Sequence, residues 1–138
     1  MSERPEKIHV IRSWILKAEN DFKNAEHTLR MKPDECPFDT VCFHAEQLTE
    51  KYLKALLVHM NIDFPKTHEI GELIDLFPST CSPPLSLGEQ DALSEYAVDS
   101  RYPDDPEKIG APQASTAMAI ARRVRDWART LLPKTVLS

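Results

Sequence analysis

The stretch Phe38-Asp39-Thr40-Val41-Cys42-Phe43-His44-Ala45-Glu46-Gln47-Leu48-Thr49-Glu50-Lys51-Tyr52-Leu53-Lys54-Ala55-Leu56-Leu57-Val58-His59-Met60 decides the fold. Neither proline nor glycine interrupts it. Val41, Cys42, Phe43, Ala45, Leu48, Tyr52, Leu53, Ala55, Leu56, Leu57, Val58 and Met60 spread over a wide arc of a helical wheel. A helix so poor in polar surface over about 38–61 is predicted to be central, packed on more than one side. Its polar surface shrinks to a strip, His44, Gln47, Lys51 and Lys54, spaced 3-4-3, with Glu46 and Glu50 offset from it.

Outward from that helix, prolines at 5, 33, 37, 65, 78, 83, 84, 103, 106, 112 and 133 mark where helices must stop, because each removes a backbone donor. The stretch 6–31 places Ile8, Ile11, Ile15, Ala18, Phe22, Ala25 and Leu29 at 3-4-3-4-3-4 spacing, with Trp14 widening the stripe; this is one apolar helical face. Thr67 is read as the cap of a short helix over 68–77 with Ile70, Leu73, Ile74 and Phe77 inward. Ser86 and Glu89 fit a capping box opening a fourth helix that runs to Arg101, with Leu87, Leu93, Tyr96 and Ala97 inside. A fifth helix over 111–131 repeats the spacing at Ala114, Ala117, Ala121, Val124, Ala128 and Leu131. No stretch alternates as a strand does. The reading is all-α, an antiparallel up-and-down helical bundle of four to five helices, one domain over 1–138 with its core at about 10–131.

Composition narrows the function classes. No apolar run approaches the roughly 18 residues a membrane helix needs, and the N-terminus lacks a secretory signal's apolar core, so a cytoplasmic protein with no membrane contact is expected. Three cysteines, Cys36, Cys42 and Cys81, show no CxxC spacing, which indicates neither a disulfide framework nor a thiolate zinc site. Cys42 is read as a small buried hydrophobe. The net charge of −5 argues against general nucleic-acid binding. Residues 118–134, however, carry Arg122, Arg123, Arg125, Arg129 and Lys134 against Asp126 alone, a local +4 that could meet a phosphate or an acidic partner. The P-loop, GxGxxG, GxSxG and HExxH templates are all absent. No metal or cofactor is implied, since His68 has no second ligand at metal spacing.

Three features carry open alternatives. The strip His44, Gln47, Lys51 and Lys54 is either a solvated face with helix-surface ion pairs, Glu50 to Lys54 among them, or the lining of a groove or interface. Thr67-His68-Glu69 reads as cap chemistry, with His68 holding the turn by a hydrogen bond. Ser100-Arg101-Tyr102-Pro103 ends a helix on an arginine, which either answers the helix dipole or offers a planar fork of donors to a phosphate or partner.

Three segments in order resemble the HEPN family, the higher eukaryotes and prokaryotes nucleotide-binding domain. Ala45, Gln47, Glu50, Lys51, Lys54, Ala55, Leu56 and Leu57 are similar to its A-x-Q-x-x-E-K-x-x-K-A-L-L second helix. Pro65-Lys66-Thr67-His68 is similar to its P-x-T-H turn, and Arg101-Tyr102-Pro103 to its R-Y-P segment. The resemblance spans about residues 10–130. It implies a helical bundle, commonly dimeric, that partners a minimal nucleotidyltransferase or binds a nucleotide or RNA, sometimes within toxin–antitoxin or defence systems. The family's RNases carry an Arg followed after four to six residues by His. Here the permitted positions hold Pro106, Glu107 and Lys108, and all five histidines precede Arg101, so the acid–base partner that RNA cleavage needs is missing from its place.

The leading expectation is therefore a non-catalytic module that binds a nucleotide or a nucleotidyltransferase through His44, Gln47, Lys51, Lys54, Thr67, His68, Arg101 and Tyr102. Its rivals are an RNase toxin that recruits His44 or His68 as a displaced histidine, and a bundle that serves only helix-face oligomerisation. A homodimer is expected, with Trp14, Tyr52 and Trp127 near helix faces available to an apolar interface.

Overall fold

The computed structural model describes residues 4–99 and 109–137. Helices α1 (Pro5–Leu29), α2 (Phe38–His59), α3 (Ile70–Ile74), α4 (Leu87–Asp99), α5 (Ala111–Leu131) and α6 (Lys134–Leu137) follow in order, with a 3-10 turn at Ser79–Cys81 before α4. Among the described residues there is no strand. Four long helices form the bundle, and α2 lies against α1, α3, α4 and α5.

The centrality of α2 follows from its composition: Val41, Cys42, Ala45, Leu48, Tyr52, Leu53, Ala55, Leu56 and Leu57 have no exposed surface. Its end is set chemically. Asn61 takes the left-handed conformation with φ 60°, which Asn tolerates better than most residues. The Ile62 amide then donates to the Leu57 carbonyl at 2.9 Å and the Asn61 amide to Val58 at 3.1 Å, the double closure of a Schellman motif. Ile11, Ile15, Ala18 and Ala25 of α1 and Ala114, Ala117, Ala121, Val124 and Ala128 of α5 fill the core at the spacing read from the sequence.

Four local readings need correction. The third helix is five residues long rather than ten, and the Thr67 hydroxyl accepts from the Glu69 amide at 3.1 Å, upstream of the helix, so Thr67 turns the chain rather than capping α3. Ser86 and Glu89 do form their reciprocal box, at 3.1 and 2.9 Å. That box fixes Leu87 at the first helical position pointing outward, 77% exposed rather than inside. Leu131 also stands exposed, because the chain leaves the helical path there and Leu132 turns inward instead. Finally, Tyr52 is fully buried and cannot serve an interface, while Trp14 and Trp127 are half-buried against Phe64 and Phe77.

The short α6, not anticipated from the sequence, folds back onto α1. Val136 seals it, and the Arg12 guanidinium donates to the Thr135 carbonyl through Nε at 3.1 Å and also through Nη2.

Candidate functional site

The polar strip of α2 is not a solvated face. On the α1 side it meets Asp21, which sits on α1's inner face between Ala18 and Ala25 and is itself buried. His44 Nδ1 lies 2.7 Å from Asp21 Oδ1, and the Lys51 ammonium donates to Oδ2 at 2.5 Å. An ionised carboxylate can only accept, so the His44 proton is on Nδ1. The His44 and Phe43 rings pack in a T-shaped pair. Gln47, between these residues, is half-buried.

One turn further along α2, Glu50 is 2% exposed. A carboxylate there must be paired to persist as an ion. Its partner is Lys54, also buried, whose ammonium donates to Oε2 at 3.0 Å. The i,i+4 pair read from the sequence is real, but it is a core feature rather than a surface one. Lys54 Nζ also lies 5.1 Å from the Trp14 ring centre and 5.9 Å from that of Phe64, distances at which aromatic faces attract a cation.

Glu50 has a second partner. His68 Nδ1 stands 3.2 Å from Oε1 and 3.3 Å from Oε2, while the imidazole is 83% exposed. A buried, anchored carboxylate thus holds one edge of a histidine from below. With the proton on Nδ1, Nε2 is the bare nitrogen. It can accept a hydrogen bond or a proton from a molecule docking at the α2–α3 turn. His68 therefore bridges to α2 instead of holding its own turn. Sequence reading missed Asp21 as the partner of His44 and Lys51; the available signal was an acid set into an otherwise apolar stripe.

The basic helix is also engaged. The Arg125 Nε donates to Glu19 Oε2 at 2.7 Å and its Nη2 to Oε1 at 2.8 Å, a bidentate fork. Arg122 grips Glu26 at 2.6 Å and Arg123 reaches Glu89 at 2.9 Å. Arg129 donates to the Tyr52 hydroxyl at 3.0 Å, and that hydroxyl donates to Glu19. Burial raises the Glu19 pKa, but bonds from Arg125 and Tyr52 outweigh it and hold the carboxyl below its ordinary value. Burial, then the bond to Glu19, pushes the Tyr52 phenol up to about 12. The local +4 therefore chiefly ties α5 to the acidic body. Burial likewise raises the Cys42 thiol to about 12, leaving it an inert core group.

Of the sequence-derived site residues, the fold gathers His44 and Lys51 around Asp21, and Lys54 and His68 around Glu50. Thr67 is adjacent in the turn. Arg101 and Tyr102 lie outside the described residues. No group of three metal-ligating side chains occurs among the described residues, and none of the described helices is long and apolar enough to cross a membrane.

Comparison with known proteins agrees with this architecture. Nothing among curated proteins matches the chain. An archaeal HEPN homologue of known crystal structure superposes with a TM-score of 0.57 over 88% of this chain and 96% of its own, at 22% identity, which shows a shared fold. The pattern that defines the HEPN domain matches residues 11–131, nearly the whole bundle, and the chain belongs to the HEPN domain family.

Proposed function

We propose that the chain is a non-catalytic HEPN module that binds a nucleotide or a nucleotidyltransferase partner at the α2–α3 turn, as a homodimer in the cytoplasm. The observation that carries this reading is Glu50: a nearly inaccessible carboxylate whose two partners are a buried lysine and an exposed imidazole. Burying a charge is costly. Here the arrangement leaves His68 largely exposed, with a bare Nε2. A base edge or a backbone amide of a partner supplies the donor such a nitrogen accepts. The missing histidine after Arg101 supports the non-catalytic part of the reading.

Isothermal calorimetry of the protein against ATP, GTP and a short RNA tests it, with the RNA run on a gel afterwards. The expected result is binding that His68→Ala weakens about tenfold, the size of one lost hydrogen bond to a partner group, with the RNA intact. Binding unchanged by His68→Ala for every ligand and for a nucleotidyltransferase partner would sink the proposal.

The same dyad favours a second reading, in which His68 replaces the absent histidine of an RNase. Carboxylate-oriented imidazoles act as general bases. That reading expects RNA loss on the gel, abolished by His68→Ala. Intact RNA removes it.

A further inference from the structure

A second stripe runs beside the core stripe of α1 to its C-cap: Arg12, Leu16, Glu19, Lys23, Glu26 and Arg30, at 4-3-4-3-4 spacing. The eighteen steps from Arg12 to Arg30, at 1.5 Å rise each, extend about 27 Å, five helical turns. Along it lie two linked depressions. One, of about 400 Å³, is bounded by Arg12, Leu16, Glu19, Lys23, Arg129 and, from α6, Leu137. The other, of about 590 Å³, lies between Phe22, Lys23, Glu26, His27 and Arg30. Lys23 lines both.

We infer that this groove beside α1, closed by α6 and the end of α5, docks an acidic amphipathic helix of a partner protein. Charge is the first argument. Both Glu19 oxygens are engaged by Arg125 and Tyr52, and Glu26 accepts two bonds from Arg122 at Oε1. Arg12 is spent on a neutral carbonyl and Arg129 on a phenol, and among the described residues Lys23 and Arg30 find no carboxylate. On a chain of net charge −5, this strip is left cationic and complementary to an acidic partner. Apolar surface is the second argument. Leu16 is 61% exposed one turn from the Arg12 end of that charged stripe, with the half-buried Leu137 across the groove. A leucine pair at one end of a cationic strip five turns long matches a helix that carries leucines on one face and carboxylates at its margins. A nucleotide fits less well: Phe22, whose ring lines the second depression, is covered by the Arg125 guanidinium at 4.2 Å from its centre and offers that face to no base. The groove is separate from the His68 turn and does not depend on the reading given for it.

The test is fluorescence anisotropy of the full chain with a labelled synthetic peptide of about five helical turns. Its leucines stand at i, i+3, i+4 and i+7 with glutamates flanking them, and the control is a scrambled peptide of the same composition. Micromolar binding is expected, weaker as salt rises from about 0.05 to 0.5 M. Leu16→Glu and Lys23→Glu should each reduce affinity at least about tenfold with unchanged melting temperature, and His68→Ala should leave it intact. Both positions are exposed, and two independent variants guard against a folding artefact in either. Absent binding, equal binding of the scrambled peptide, or wild-type affinity in both variants would overturn the inference. So would displacement of the peptide by ATP that depends on Lys23, which would mark a nucleotide site. A wild-type dimer that Leu16→Glu dissociates in the ultracentrifuge would overturn it too, by assigning the groove to a second copy.

Discussion

The two seams of α1 handle charge in opposite ways. Against α2, α1 contributes Asp21, and the charges there are buried and matched: Asp21 with His44 and Lys51, Glu50 with Lys54. Against α5, it contributes Glu19 and Glu26, which are half-exposed and outnumbered by arginines. The first seam spends its ions inside and releases one oriented histidine at its edge. The second pairs its carboxylates with arginines and leaves cations over. Identical residue types thus do different work according to the water around them, since a pair in low dielectric cannot lose one member cheaply whereas a wet pair can.

Removing Glu50 should break the contrast most severely. Glu50→Ala leaves Lys54 buried without its counter-ion, an expected loss of about 3–5 kcal/mol, read from urea denaturation. The double variant Glu50→Leu with Lys54→Met should recover most of it, because an apolar pair of similar volume needs no desolvation. If the single variant costs under about 1 kcal/mol, the first seam is as wet as the second and the contrast fails.

Glu19→Gln comes next, at about 1–3 kcal/mol near neutral pH, since a charge-assisted fork and a phenol bond are weakened together. It also carries a pH signature. The folded carboxyl is held below its ordinary value of 4.5, so its contribution is complete above that value and is lost as the pH falls through the depressed folded value. Melting at pH 7 and at successive acid steps should show wild type losing more stability than Glu19→Gln; equal losses would place the acid-sensitive group elsewhere.

Tyr52→Phe should cost about 1 kcal/mol, the net worth of one hydrogen bond. In wild type, ultraviolet titration should find one tyrosine ionising near 12 rather than its ordinary 10. Because that value is raised, the stabilisation it brings is present below pH 10 and disappears as the pH climbs through about 12. A normal titration of all three tyrosines would contradict the buried phenol. The smallest effect belongs to Arg122→Ala. Its pair with Glu26 is exposed, so a change of about 0–1 kcal/mol that vanishes in high salt is expected; a larger one would mean the second seam is drier than its exposure indicates.

Much of the bundle was legible beforehand. The 3-4 spacing of α1 and α5 and the wide apolar arc of α2 placed each long helix to within a few residues, and the capping box at Ser86 was readable as a reciprocal pair. Leu87 and Leu131 failed because a wheel position near a helix end no longer predicts direction once the chain bends away. Asp21 was passed over because a helix-period reading counts apolar residues and says little of the acid between them. The fate of His68 was not readable either, since its partner lies eighteen residues upstream on another helix.

By itself the sequence determined the number and extent of the long helices, the central place of α2 and the family resemblance, because these depend on periodicity and local backbone chemistry. Only the tertiary structure decided which charges are buried, that Glu50 orients His68, that the basic helix is largely neutralised and that α1 keeps a cationic groove. Those outcomes depend on which side chains meet across helices and how much water remains between them, and no spacing along one chain carries that information.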